Sequence, residues 1–79
     1  RRIRTAFLTD YPDFYLAIET FIPKKYRPYS LVFYFRRTDE RVLKRALRDH
    51  MVMVFTVDEE EEMKKFIRWG VDGIITNHP

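Results

Sequence analysis

Few residues in this chain could carry acid–base chemistry. The sequence contains two histidines, His50 and His78, and no cysteine. Two imidazoles can exchange protons with a substrate only if both reach the same reacting group. His50 lies between a predicted helix and the strand after it, whereas His78 follows the last predicted strand, so we expect the two at opposite ends of a sheet. We therefore predict that this chain contains no catalytic acid–base pair.

The carboxylates are concentrated in one run, from Asp58 to Glu62. Such a run could bind a hard cation through oxygen ligands. It also suits the first turn of a helix, where the helix dipole favours negative charge, and we prefer that interpretation. The sequence has no nucleophilic triad, glycine-rich phosphate loop or zinc-ligand spacing. The sequence thus predicts no metal site in this chain.

Cations dominate the middle of the chain, and the net charge is +3. They are Lys24, Lys25, Arg27, Arg36, Arg37, Arg41, Lys44, Arg45 and Arg48. Most suit the solvated outer faces of helices, but the same stretch could meet phosphate, nucleic acid or anionic lipid. No apolar run approaches the roughly 20 residues of a membrane span. The absence of cysteine fits either side of a membrane, so the sequence does not indicate the cellular compartment.

Strand-like and helix-like segments alternate along the chain. Short apolar runs predict strands at residues 3–8, 31–35, 51–57 and 73–76. The run at 51–57 is apolar on both faces, which is typical of a parallel strand covered on both sides. The segments between the strands have the apolar spacing of helices. The apolar stripe of the first helix is Phe14, Ile18, Phe21 and Ile22, that of the second is Val42, Leu43, Ala46 and Leu47, and that of the third is Met63, Phe66 and Ile67.

Local signals set the ends of the predicted helices. Pro23 should end the first helix, because proline cannot donate the next backbone hydrogen bond. Thr38 is a plausible N-cap of the second. Asp58 with Glu61 has the spacing of a capping box at the third. Gly70 can take the left-handed conformation that closes that helix.

The resulting β-α-β-α-β-α-β order predicts a parallel α/β sheet with right-handed crossovers. Both a doubly wound sheet and part of a (β/α)8 barrel fit this order. A whole barrel needs about 250 residues, so 79 residues can form only half of one. We expect residues 1–79 to be a single partial domain, cut from a longer chain.

Two motifs near the C-terminus carry a family resemblance. Residues 52–58 (V-M-V-F-T-V-D) resemble the penultimate strand V-x-V-W-T-V-N of glycerophosphodiester phosphodiesterases, and residues 70–79 resemble that family's closing G-V-D-G-I-I-T-D-x-P. The spacing between the two motifs also matches, and upstream similarity is looser. Here Phe55 replaces Trp, Asp58 replaces Asn, Asn77 replaces Asp, and His50 stands where the family often has Gly, in a turn that could be left-handed.

The resemblance implies the C-terminal half of a TIM (β/α)8 barrel. In the intact parent, that barrel would hydrolyse glycerophosphodiesters to glycerol 3-phosphate and an alcohol, with a bound divalent cation, Ca²⁺ or Mg²⁺. The family's catalytic and metal-binding groups belong to the N-terminal half, so none is expected in this half. We expect the 79-residue chain alone to be inactive.

This half should instead contribute one wall of the substrate pocket. In barrels, function lies at the carboxyl ends of strands. The candidate substrate-binding residues there are Phe55, Arg36, Asn77 and His78. We expect Phe55 to pack against the glycerol or alcohol group. Arg36 should help neutralise the phosphate, because its fork can donate two hydrogen bonds.

Two other functions fit the sequence. The chain could be a non-enzymatic basic α/β module that binds RNA or another polyanion, because aromatic residues among the cations, such as Tyr26, Tyr29, Tyr34 and Phe35, could stack on RNA bases. We do not favour nucleic acid as a partner, because residues 31–35 suit a buried strand better than an exposed platform. The chain could also be an assembly unit, since an open sheet has unpaired edges and an uncovered face. Its partner would be an N-terminal half-barrel or a second copy.

Overall fold

The computed structural model describes residues 5–77. Its strands and helices alternate along the chain. They are β1 (Ala6–Thr9), α1 (Pro12–Glu19), β2 (Ser30–Tyr34), α2 (Glu40–Leu47), β3 (Met51–Phe55), α3 (Glu60–Arg68) and β4 (Gly73–Ile74), with short 3-10 turns at Lys24–Tyr26 and Phe35–Arg37. Four strands form where four were predicted, although β3 and β4 end two residues earlier than expected, β2 is shifted by one residue and β1 ends one residue later. Residues 3–4 of the first predicted strand lie outside the described residues.

The sheet is parallel throughout, and its strand order is β1-β2-β3-β4. Leu8 pairs with Val32, Val32 with Met53, and Met53 with Gly73, so these four residues form one row across the sheet. A doubly wound sheet reverses its strand order at a switch point, whereas successive units of a barrel add strands in sequence. The observed order is therefore that of four successive barrel units.

The hydrophobic core lies between the sheet and the helices. Leu31, Phe33, Val52 and Val54 are fully buried and belong to one cluster with residues of all three helices. Alternate residues of a strand point to opposite faces, so these four define the helix-covered face of β2 and β3. The predicted stripe of α2 is confirmed, because Val42, Leu43 and Ala46 are buried and Leu47 packs against the same cluster.

The opposite face of the sheet is only partly covered by residues 5–77, because Val32 in its middle is 6% exposed but its neighbours are more open. Leu8 is 60% exposed and Met51 is 43% exposed, while Met53 and Phe55 are only half-buried. The prediction that β3 is covered on both sides is therefore wrong for this chain. Both faces of β3 are apolar, but only one of them packs against a described element.

The predicted apolar face of α1 is also wrong. Phe14 is 67% exposed and Phe21 is 86% exposed, whereas Tyr15, Leu16 and Glu19 are buried. Tyr15 stacks on Phe7 of β1 with ring centroids 4.8 Å apart, which turns the large apolar residues of the predicted stripe away from the sheet. The helix ends at Glu19, before Pro23 could stop it.

The cap of α2 is shifted by one residue from the prediction. Asp39 is the N-cap, and its Oδ1 accepts a hydrogen bond from the Val42 amide at 2.9 Å. Thr38 is buried and its hydroxyl donates to the Tyr34 carbonyl at 2.8 Å. Both side chains can cap a helix, and the bond from Thr38 to Tyr34 removes it from that role.

The predictions for α3 are partly confirmed. Its first turn is acidic, as expected, and Gly70 has a φ of +92°, the left-handed conformation predicted for it. Phe66 is fully buried and packs edge-on against Trp69 at 5.3 Å, but Ile67 is 64% exposed, so it does not belong to the buried stripe. Within residues 5–77, no helix combines the length and apolar character needed to cross a membrane.

Candidate functional site

A cleft of about 320 Å³ opens at the carboxyl ends of β2 and β3. Its lining is Tyr34, Phe35, Arg36, Phe55, Thr56, Asp58, Glu59 and Glu62. Two of the predicted substrate-binding residues, Arg36 and Phe55, thus border the same cavity. Tyr34, Phe35 and the acidic residues were not predicted as lining residues.

Strand register explains why Arg36 and Phe55 meet. Tyr34 and Phe55 are paired at the ends of β2 and β3, and their ring centroids lie 5.9 Å apart. The chain then turns through Phe35–Arg37, which brings the Arg36 guanidinium over the Phe35 ring at 5.1 Å. The aromatic rings therefore form one wall, with a cation at its edge.

Asp58 connects two loops at this end of the sheet. Its Oδ1 accepts hydrogen bonds from the Thr76 hydroxyl at 2.9 Å and from the Asn77 amide at 3.1 Å. The predicted capping box is wrong, because Glu59 is the N-cap of α3 and no side chain caps that helix end. Asp58 instead joins the loop after β3 to the segment after β4. The family motif at residues 52–58 includes Asp58, but its spacing to Glu61 had indicated a cap of α3.

The remaining two candidates contribute less to the observed cleft. Asn77 lies beside it, because its backbone amide is bound to Asp58, but it is not a lining residue. His78 lies outside the described residues. The substrate-binding roles of all four candidates stay predictions, and the geometry brings Arg36 and Phe55 together.

Residues 51–79 match the glycerophosphoryl diester phosphodiesterase family. The match spans β3, α3 and β4, and it confirms the resemblance carried by the two C-terminal motifs. A match to this family implies a fragment of a TIM barrel, in agreement with the sequential parallel sheet. No curated protein matches the chain.

The charge around Arg36 differs between its two sides. On the β3 side, the cleft contains Asp58, Glu59 and Glu62, of which Glu62 pairs with Lys65 at 3.0 Å. On the α1 side, Arg36 borders a second cavity of about 400 Å³, lined also by Tyr11, Pro12, Asp13, Phe14 and Arg37. A phosphate would therefore find two guanidinium groups on the α1 side and mainly carboxylates on the β3 side.

The acidic residues of the cleft do not fit a divalent cation. No three His, Asp or Glu side chains converge on a common point within residues 5–77. Asp58 already accepts two hydrogen bonds and Glu62 is paired with Lys65. A Ca²⁺ site requires six to eight converging oxygen ligands, which this set does not offer. The divalent cation expected in phosphodiesterases of this family therefore has no ligand among these residues.

His50 lies at the amino end of β3, away from the cleft, as predicted. Its Nδ1 donates to the Pro28 carbonyl at 2.8 Å, and its buried Nε2 lies 2.9 Å from Glu19 Oε2 without forming a hydrogen bond within the described residues. The left-handed conformation suggested for His50 is wrong, since no non-glycine residue within 5–77 has a positive φ. Burial of the imidazole against Glu19 and Pro28 holds this turn instead.

The same carboxylate also binds Tyr15. The Tyr15 hydroxyl donates to Glu19 Oε2 at 2.6 Å, and both residues are buried. Burial, and then the hydrogen bond to the Glu19 carboxylate, raise the pKa of the Tyr15 phenol well above its ordinary value. Tyr15, Glu19 and His50 thus form a buried polar cluster that connects α1 to the turn before β3.

Proposed function

We propose that this chain forms the C-terminal half of a barrel that hydrolyses glycerophosphodiesters to glycerol 3-phosphate and an alcohol. The observation that carries the proposal is the meeting of Arg36 and Phe55 in one cleft at the carboxyl ends of β2 and β3. Barrel enzymes bind their substrates at this end of the sheet. The family match at residues 51–79 supplies the reaction class.

Each wall of the cleft has a distinct proposed role. Arg36, with Arg37 beside it, binds the non-bridging phosphate oxygens through charge-assisted hydrogen bonds. Phe55 and Tyr34 pack against the glycerol or alcohol carbon atoms. Asn77 and His78 approach the substrate from the end of β4, where Asp58 fixes the Asn77 backbone.

The groups that cleave the bond are proposed to lie on the other half of the barrel. In the overall reaction, water adds to phosphorus, the bond from phosphorus to the alcohol oxygen breaks, and the leaving oxygen takes a proton. A divalent cation, Ca²⁺ or Mg²⁺, would supply electrophilic assistance there. The residues of this half bind the phosphodiester and orient it.

Two apolar surfaces support a requirement for a second half. The open sheet face includes Leu8 and Met51, and the exposed side of α1 with the turn after it includes Phe14, Ile18 and Phe21. In a closed barrel, strands and helices of the other half cover both kinds of surface. We propose an N-terminal half-barrel as this partner, with a second copy of the chain as the alternative.

The packing does not favour the nucleic-acid alternative. Tyr34 and Phe35 lie edge-to-face against each other at 5.8 Å, and Phe35 also packs edge-on against the buried Phe66 at 6.4 Å. Base stacking needs aromatic faces that are open to solvent. These two rings form the cleft wall and part of the core boundary.

The test is a fusion of this chain to the N-terminal half-barrel of a glycerophosphodiester phosphodiesterase. We expect release of glycerol 3-phosphate in the presence of Ca²⁺ or Mg²⁺, and none from the chain alone. Arg36→Ala should lower kcat/KM about 10- to 100-fold, because a hydrogen bond to a charged group contributes about 1.5–3 kcal/mol.

Arg41→Ala is the matched control, because Arg41 is an exposed cation of α2 that borders none of the clefts around Arg36. It should leave kcat/KM nearly unchanged. Equal losses from both substitutions would refute the phosphate role of Arg36. A fusion that folds by circular dichroism but hydrolyses no glycerophosphodiester, or activity of the isolated chain, would refute the proposed division of labour.

A further inference from the structure

A cavity rich in cations lies at the opposite end of the sheet from the proposed substrate cleft. Its volume is about 390 Å³. We call it the basal cavity, and its lining is Thr5, Lys24, Lys25, Arg27, Pro28, Tyr29, Asp49 and His50. We propose that the basal cavity binds a phosphate group, as a second anion site independent of the substrate cleft.

Charge is the first argument. Lys24, Lys25 and Arg27 border the basal cavity, and Asp49 is the one carboxylate among its described lining residues. None of the three cations forms an ion pair with another residue of the described range 5–77. Cations collected around a concave surface concentrate the positive potential and attract anions. The Glu19 carboxylate, beside His50 of the lining, is already bound by the Tyr15 hydroxyl.

Rigidity is the second argument. Pro23 and Pro28 flank the segment, and Lys24–Tyr26 forms a 3-10 turn between them. The Arg27 Nε donates to the Ile22 carbonyl at 2.8 Å, which fixes the guanidinium and leaves its terminal N–H groups for a ligand. A donor that is already ordered loses less entropy on binding, so this arginine suits a bidentate contact with phosphate oxygens.

The back of the basal cavity is also fixed. The buried His50 donates to the Pro28 carbonyl at 2.8 Å, which ties the cationic loop to the turn before β3. The cavity volume is at the lower end of the range for small-molecule sites, so it suits one phosphate group with a small substituent. We therefore assign it the chemistry of a phosphate monoester, which a free metabolite or a lipid head group could both supply.

The test is a titration of the isolated 79-residue chain with inorganic phosphate at constant ionic strength, followed by 1H–15N NMR. We expect saturable shifts confined to the amides of residues 24–27, 29 and 49–50. Lys24→Ala and Arg27→Ala should each weaken binding about tenfold, which is the loss of roughly one charge-assisted contact. The Lys24 side chain makes no hydrogen bond within residues 5–77, so Lys24→Ala keeps the test valid if Arg27→Ala unfolds the chain.

Lys44→Ala is the matched control, because Lys44 is an exposed cation of α2 outside the cavity. Shifts that do not saturate, or equal weakening by Lys44→Ala, would show general charge screening and overturn the site. Vesicles of phosphatidic acid and of phosphatidylcholine then separate the two sources. Binding to phosphatidic acid vesicles alone, dependent on Arg27 and stronger than binding to inorganic phosphate, identifies a lipid head group. Stronger binding of soluble phosphate identifies a free ligand. Because no activity is measured, the result is independent of the proposed hydrolysis.

Discussion

The contact between Asp58 and the segment after β4 can be tested directly. Asp58→Ala removes two hydrogen bonds, from the Thr76 hydroxyl at 2.9 Å and from the Asn77 amide at 3.1 Å. Each such bond contributes about 0.5–1.5 kcal/mol net, and both lie at an exposed site, so we expect a loss of about 1–2 kcal/mol in the free energy of unfolding. Asp58→Asn keeps an acceptor oxygen and should lose less.

Amide hydrogen exchange locates the effect. The segment after β4 should open more often in Asp58→Ala, and exchange at the Asn77 amide should rise about 5- to 30-fold, which corresponds to about 1–2 kcal/mol. Urea unfolding of the same variant measures the global loss. Glu59→Ala is the matched control, since Glu59 is the adjacent acid and its side chain makes no cap hydrogen bond.

A different outcome would restore the local interpretation of Asp58. If Asp58 capped α3, its removal would speed exchange at the amides of Glu60 and Glu61 and leave Asn77 unchanged. That pattern would refute the connection between the two loops. Equal effects of Asp58→Ala and Glu59→Ala on the free energy of unfolding would show that only the negative charge near the helix start matters.

Two further predictions concern stability. The pKa of Tyr15 is raised in the folded chain, so its phenol stays protonated at a pH where the unfolded chain ionises. The free energy of unfolding should therefore fall as pH rises above about 10. In urea titrations, Tyr15→Phe should remove this part of the pH dependence, whereas Tyr26→Phe, at an exposed tyrosine, should retain it. Gly70→Ala should lower the free energy of unfolding by about 1–2 kcal/mol, because φ is +92° there; the nearest side-chain atom, Leu47 Cδ1 at 3.8 Å, leaves room for a methyl group, so the loss comes from the backbone. In thermal unfolding, Gly70→Asn should be less destabilising than Gly70→Ala. Equal stability of the alanine variant and the native chain would contradict a strained backbone.

Local sequence signals predicted the elements and their order well. Val52 and Val54 fall in a short apolar run that is typical of a buried strand, and they are fully buried in β3. Gly70 follows an apolar stripe at the distance of a helix end, and it has the left-handed φ expected there. Because adjacent strands are joined through single helices, parallel pairing followed from chain order alone.

The failures arise where a distant partner competes with a local pattern. Thr38 and Asp58 each had the side chain and the spacing of a helix cap. Thr38 instead binds the Tyr34 carbonyl, and Asp58 binds Thr76 and Asn77, which lie 18 and 19 residues away in the chain. Helix periodicity cannot report such contacts, since it describes one element at a time.

The buried cluster of Tyr15, Glu19 and His50 shows the same limit. Glu19 is a glutamate, a residue type that is rarely buried unless paired, yet its buried carboxylate accepts a hydrogen bond from Tyr15 and lies 2.9 Å from His50 Nε2. A buried carboxylate is stabilised only by partners, and here one partner lies four residues away and the other 31 residues away. The Tyr15–Glu19 spacing was visible in the sequence, whereas the His50 contact depends on the fold.

The exposed apolar surface is unevenly distributed across the sheet and its helices, which bears on how the proposed second half would attach. In the row across the sheet, the Met53 side chain packs over Gly73. A Cβ at Gly73 would lie 2.9 Å from Met53 Cγ, so the space above Gly73 is occupied by this side chain. At the other end Leu8 is 60% exposed, and Phe14 of the following helix is 67% exposed. Much of the exposed apolar surface therefore lies on the β1–α1 unit, although Ile67 of α3 is also 64% exposed. Because β1 and β4 are both edge strands, closure of the proposed barrel requires a strand of the other half beside each of them and a helix beside the exposed side of α1.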